Sequence, residues 1–205
     1  MSGDPAVLEA WLAVIARDGW RAAVPEAAAA QAGLSVGGLM AEVADRYDAL
    51  ATLLRTLGQA SARAAAQATG SVRERLFDGI MAGFDRLQPH RAAVAAIVAA
   101  RDPAVPPLVA VEGVAALRRL AAVAGVPVSG PLGALRMAAL AGLLARVFQV
   151  WRDDHTPDMS RTMAELDRRL AEAERVAQEG LRAAFRRASD PPDPGPAPAP
   201  DPPAG

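Results

Sequence analysis

The chain has 205 residues, 52% of them hydrophobic, no cysteine and a formal net charge of −1. Disulfides, thiolate metal sites and cysteine nucleophiles are therefore excluded, and the near-neutral balance gives the chain as a whole no electrostatic reason to hold nucleic acid. The length suits one sizeable helical domain or a small domain fused to a larger one, and abundant alanine and leucine with few alternating segments predict an all-α protein.

Asp4-Pro5 opens a first helix to about Asp18, which Gly19 stops, with Trp20 packing back on it. A short helix follows over about Val24–Gln31, then a turn at Ala32-Gly33-Leu34-Ser35 with Ser35 as N-cap of a third helix, Val36–Val43. A longer helix followed by two short ones across a glycine turn has the shape of a helix-turn-helix. Asp45 starts a fourth helix to about Ala68. Ser71-Val72-Arg73-Glu74 is a capping box for a fifth, which carries Leu76, Phe77, Ile80, Met81, Phe84 and Leu87 on one face until Pro89 breaks it. Ala92–Ala100 is a sixth helix, the proline-rich Asp102–Pro107 a loop, Leu108–Ala124 a seventh helix and Gly125–Pro131 a second loop.

Two long helices close the ordered chain and organise it. Leu132–Trp151 places Met137, Leu140, Ala141, Leu144, Val147, Phe148 and Trp151 on one stripe, with Arg136, Arg146, Gln149 and Arg152 opposite. In the corner that follows, Thr156 suits an N-cap, Pro157 the first helical position and Asp158 the positive helix end. The last helix carries Met163, Leu166, Leu170, Ala173 and Ala177. From Ser189 the chain is Asp, Pro, Gly and Ala, which predicts disorder.

The N-terminus lacks a basic region before its apolar residues, so no signal peptide is expected. The longest uncharged apolar run in the organising helix, Met137–Ala145, is shorter than the ~20 residues of a membrane span. A soluble, cytoplasmic protein is expected, at most peripheral at an inner membrane.

The first 50 residues resemble the DNA-binding region of TetR-type repressors, through Ala32-Gly33-Leu34-Ser35 followed in register by Leu39. Met40, Glu42, Val43 and Arg46 stand where that family has tyrosine, histidine, phenylalanine and lysine, and Val24 replaces a threonine. On this resemblance Ser35, Met40 and Arg46 are the DNA-binding candidates. The same residues hold seven acids against three arginines, a net charge of −4, and non-specific DNA affinity comes mostly from neutralised phosphates. DNA binding is disfavoured.

The rest resembles the accessory lipid-binding family of ubiquinone biosynthesis, the coenzyme Q nine proteins, whose fold is itself TetR-like. The resemblance rests on Ala16–Trp20, Val72–Ile80, Leu87-Gln88-Pro89-His90, Val150–Asp154, Pro157-Asp158 and Thr162–Leu170, and spans about Val7–Val176. It implies a homodimer with a hydrophobic pocket for an isoprenoid lipid, serving a quinone-pathway hydroxylase. That family ends in a membrane-lying helix. Here Gly180–Ala188 is short, with Leu181 and Phe185 as weak membrane-contact candidates among arginines that also suit a plain helix end.

Candidate pocket residues are Phe77, Ile80, Met81, Phe84, Met137, Leu140, Leu144, Phe148 and Trp151. Such stripes are also ordinary core or a dimer face. Methionines mixed with phenylalanines give an adaptable surface, and the resemblance turns the reading towards a pocket. His90 suits a helix start, the carboxylates Asp153, Asp154 and Asp158 suit capping rather than metal, and the Arg168-Arg169 pair suits a solvated face. No catalytic motif, metal site or cofactor is expected. The sequence therefore reads as an all-α TetR-like protein: a degenerate helix-turn-helix head over residues 1–50, a helical ligand-binding and dimerisation domain over 51–188, and a disordered tail. Its expected function is non-enzymatic lipid binding for ubiquinone biosynthesis. The alternative is a TetR-family ligand-responsive transcriptional regulator.

Overall fold

The computed structural model describes residues 4–189, with side chains from 4 to 179. They form nine α-helices in chain order: α1 (Pro5–Asp18), α2 (Pro25–Ala32), α3 (Val36–Glu42), α4 (Arg46–Gln67), α5 (Val72–Leu87), α6 (Arg91–Ala100), α7 (Val105–Ala124), α8 (Gly130–Asp153) and α9 (Ser160–Ser189). There is no strand among the described residues. The all-α expectation holds, and so do most of the local stop and start signals. The Asp4 carboxylate accepts from the Ala6 N–H, the Ser35 hydroxyl from the Gly38 N–H and the Asp45 carboxylate from the Tyr47 and Asp48 N–H groups. Both halves of the Ser71/Glu74 capping box are formed. Gly19 ends α1 at φ 89°, the left-handed region that glycine enters at low cost.

α5 ends at Leu87, just before Pro89, as expected, and a single 3-10 turn, Gln88–His90, joins it directly to α6. Two expectations are corrected. Pro106 and Pro107 lie in the first turn of α7, where their missing N–H groups have no helical partner to lose, so the loop before α7 is shorter than expected. Pro131 enters α8 the same way. The second correction concerns the corner before α9. The helix begins at Ser160, not at Pro157, and Met159 turns in at φ 52° with its side chain buried. The cap is Asp154, fully buried. Its carboxylate accepts from the N–H and hydroxyl of Thr162, both at 2.8 Å, and from the N–H and hydroxyl of Thr156. Thr156 is a secondary cap, its hydroxyl accepting from the Ser160 N–H at 3.0 Å.

One contiguous apolar core runs from Val7 in α1 to Leu170 in α9. At its centre α4 lies between α5 and α7. The approach is close because α4 carries Gly58, where a Cβ would stand 2.6 Å from the Ala116 methyl of α7. The head, α1–α3, encloses Trp11, Ile15, Leu39 and Val43, and the Trp11 indole N–H donates to the Val43 carbonyl at 3.3 Å. It is fastened to the body at three points. The Trp20 indole N–H donates to Asp102 in the turn before α7 at 2.9 Å, where the Tyr47 hydroxyl of α4 also donates at 2.8 Å. Arg21 reaches the Ala100 carbonyl, and His90 faces Glu9 at 3.5 Å. His90 makes no capping hydrogen bond, so it does not serve the helix start as expected. The expected tail lies outside the described residues.

Candidate functional site

The nine candidate pocket residues divide by burial. Ile80, Met81, Phe84, Leu140 and Trp151 are buried, and Phe77, Met137, Leu144 and Phe148 pack against that core partly exposed. Phe84, Phe148 and Trp151 are drawn together, with ring centroids 5.9 and 5.6 Å from the Trp151 ring. This cluster is pinned from outside. The Trp151 indole N–H donates to the Gln88 side chain at 2.9 Å, and the Arg91 guanidinium lies 4.3 Å from the Trp151 ring while donating to the Trp151 and Arg152 carbonyls. Arg91 thus adds a donor to carbonyls at the end of α8, where a cation also suits the negative helix terminus. Neither Gln88 nor Arg91 was identifiable as part of this cluster from sequence. Their partners lie 60 or more positions away.

An open apolar groove lies elsewhere on α8. Val114, Leu117 and Arg118 of α7, Val128 of the connecting loop, and Gly130, Ala134, Met137, Ala138 and Ala141 of α8 line about 440 Å³. Of the nine candidates only Met137 belongs to it. One wall is shaped by Gly133, where a Cβ would collide with the Val128 backbone at 2.3 Å, so the loop can sit tight against the start of α8. Further apolar residues of α7 and α8 are widely exposed: Val111 is 70%, Leu132 63% and Leu135 66% exposed.

Among the described residues α8 is the one helix long and apolar enough, by length and composition, to cross a membrane. Its buried stripe of Leu140, Leu143, Val147 and Trp151 packs on protein, and Arg136 and Arg146 interrupt its apolar surface. One face of α8 thus packs on protein, and a second apolar face is uncovered. The side chains of Leu181 and Phe185 lie outside the described residues.

The helix-turn-helix face is apolar. Opposite the buried Leu39, α3 presents Gly37, Met40 and Ala41, and Leu34, Val36 and Met40 are respectively 45%, 36% and 47% exposed. Ser35 spends its oxygen on the α3 cap. Arg46 is turned inward. Its guanidinium lies 5.6 Å from the Trp20 ring and 5.1 Å from the Tyr47 ring, and it donates to the Arg21 and Ala23 carbonyls. Glu42 is the only charged residue of α3, and its carboxylate accepts from the Asp4 N–H.

The carboxylates of the α8–α9 corner serve the chain itself. Burial pushes the Asp154 carboxyl up, but the hydroxyls and N–H groups of Thr156 and Thr162 outweigh it and hold the pKa well below the usual carboxylate range. Asp158 accepts from the Ser160 N–H, and Asp153 is exposed. Arg168 and Arg169 both pair with Glu165, while Asp167 pairs with Arg73 of α5.

No family model matches the sequence, and no curated protein matches it. Solved structures do. The TetR transcriptional regulator from Nitrosomonas europaea ATCC 19718 superposes with a TM-score of 0.69 at 17% identity, over 83% of this chain and 99% of that one. A transcriptional-regulator candidate from Pseudomonas aeruginosa PAO1 superposes with a TM-score of 0.55 at 22% identity, over 90% of this chain and 92% of that one. The chain therefore has the TetR-like all-α fold, from the helix-turn-helix head through the long paired helices at its end.

Proposed function

We propose that this chain is a non-enzymatic, homodimeric binding protein for an apolar small molecule, and that its head has lost the chemistry of DNA recognition. The single observation that carries this reading is the outward face of α3. It offers Leu34, Val36, Met40 and two glycines where a DNA reader needs donors, and its nearest cation, Arg46, is consumed by two aromatic rings and two carbonyls. Affinity for DNA rests on cations that displace condensed counterions, and this face supplies none.

The ligand-binding half of the proposal rests on the α7–α8 groove. An isoprenoid quinone precursor is the ligand that the sequence resemblance implies, with a quinone-pathway hydroxylase as the partner served. The solved relatives carry no information on that pathway. The dimer is assigned to α8 and α9. The first half of α8 leaves Leu132, Leu135 and Gly142 uncovered, and every side chain from Ala171 to Glu179 of α9 is exposed. A second copy would remove this surface from water.

The second reading is a ligand-responsive transcriptional regulator, in which the ligand shifts head geometry and so DNA affinity. The specific observation in its favour is the pair of solved structures, both named as regulators or regulator candidates and covering most of this chain. A gel-shift titration on the promoter region of its own gene, run at several salt concentrations, separates the two. The leading reading expects no complex beyond weak, sequence-independent binding. A tight, sequence-specific complex with a steep salt dependence selects the regulator.

A further inference from the structure

The groove between α7 and α8 carries an asymmetry of charge that an apolar ligand alone does not use. The chain has a net charge of −1, yet residues 113–152 hold Arg118, Arg119, Arg136, Arg146 and Arg152 and no acid at all. The nearest acid upstream, Glu112, faces Arg55 of α4 at 3.9 Å, and Arg136 donates to the Pro127 carbonyl at 3.2 Å. Arg118 is the one charged residue in the groove lining, among eight that are apolar or glycine. On an exposed helix face, a guanidinium beside an apolar trough offers two recognition elements side by side. The trough removes a chain from water, and the guanidinium pairs with a carboxylate or phosphate by parallel N–H···O bonds.

Resting on the apolar-ligand reading above, we propose that this groove takes a single-chain amphipathic anion. Its chain lies against Ala134, Ala138 and Ala141 of α8, and its carboxylate or phosphate pairs with Arg118. The volume of about 440 Å³ falls near the lower end of small-molecule sites, about 300–1,000 Å³. That is room for one hydrocarbon chain. The small side chains of α8 leave the trough open, and the glycine at position 133 brings the Val128 backbone close enough to wall its end.

The test uses the full-length chain and cis-parinaric acid, a fluorescent long-chain fatty acid, below its micelle-forming concentration, beside its uncharged methyl ester. The acid is expected to bind saturably and the ester about tenfold more weakly, the equivalent of about 1.4 kcal/mol. Arg118→Gln is expected to lower the acid to the level of the ester, and Arg118→Lys to retain part of the preference. Ala138→Trp, at an exposed position, fills the trough and is expected to abolish binding of both with an unchanged melting temperature. Equal binding of acid and ester by the unaltered protein, or an Arg118→Gln variant that still prefers the acid, overturns the headgroup assignment while leaving the apolar-ligand reading in place. Binding of neither overturns both. Protein that ignores the free acid and binds only vesicles containing anionic phospholipid overturns the single-chain site in favour of a bilayer surface.

Discussion

At the C-terminal end of α8, Trp151 is fully buried, flanked by Phe84 and Phe148, and held by Gln88 and Arg91. About four to five turns earlier on the same helix, Leu132 and Leu135 are 63% and 66% exposed, with Gly133 and Ala134 between them. One end spends its aromatic surface on fixing α5, α6 and α8 together. The other leaves its apolar surface free for a ligand or a second copy. The aromatic stripe resembles a binding wall in sequence, but its rings already have partners. The small-residue stretch, plain in sequence, is where the structure is open.

The largest effect that would break this contrast is at the anchored end. Trp151→Ala removes the ring on which Phe84, Phe148 and Arg91 pack and frees the Gln88 amide. Its expected cost is about 3–5 kcal/mol, read as a lower urea midpoint at an unchanged slope. A retained midpoint would mean that the cluster does not anchor α8. The next effect concerns the corner beyond it. Asp154→Ala leaves the buried N–H and hydroxyl of Thr162 without an acceptor, with an expected loss of about 2–3 kcal/mol in the same assay.

Acid sharpens the comparison further, because the two carboxylates that fasten the fold are both ionised and depressed. Hydrogen bonds from the Trp20 indole, the Ala104 N–H and the Tyr47 hydroxyl hold Asp102 down to about 2. A depressed carboxylate contributes its full stability above the ordinary value of 3.8 and loses it as pH falls through the folded value. Stability is therefore expected to be flat in this respect at neutral pH and to fall from about 4 downward. Thermal melts of Asp102→Asn and Asp154→Asn should start lower and lose less over that acid limb. Melts that lose as much as the unaltered protein over the limb would dismiss both groups as its source.

The smallest effects on stability are expected at the open end and on the head face. Leu135→Glu should change the unfolding free energy by less than about 0.5 kcal/mol while weakening the dimer in sedimentation. An unchanged dimer would move the interface elsewhere. Met40→Arg should likewise leave folding intact, and the added cation should raise the weak, salt-sensitive affinity for DNA that the unaltered face lacks.

Local chemistry made most of the fold legible. Asp4, Ser35, Asp45 and the Ser71/Glu74 box are each read within four residues of the helix they start, so sequence is enough to find them. What sequence missed is long-range. Asp102 receives Trp20 across 82 positions and Tyr47 across 55, and Arg91 reaches the end of α8 across 60. The corner before α9 misled for a related reason. Thr156-Pro157-Asp158 has the composition of a helix start, but the buried Asp154 carboxylate satisfies the Thr162 N–H from eight residues away and moves the start to Ser160. The candidate site was legible only through Met137, because the groove is defined by missing bulk. Arg118 could have been singled out by one signal, the run without acids from 113 to 152.

Native mass spectrometry of the protein purified from its own cells, followed by organic extraction, tests the central claim most directly. The expected species is a dimer whose mass exceeds that of two chains by a bound small molecule, released by the solvent and retaining an apolar chain. A ligand-free protein that instead shifts its own promoter DNA with a steep salt dependence would contradict it.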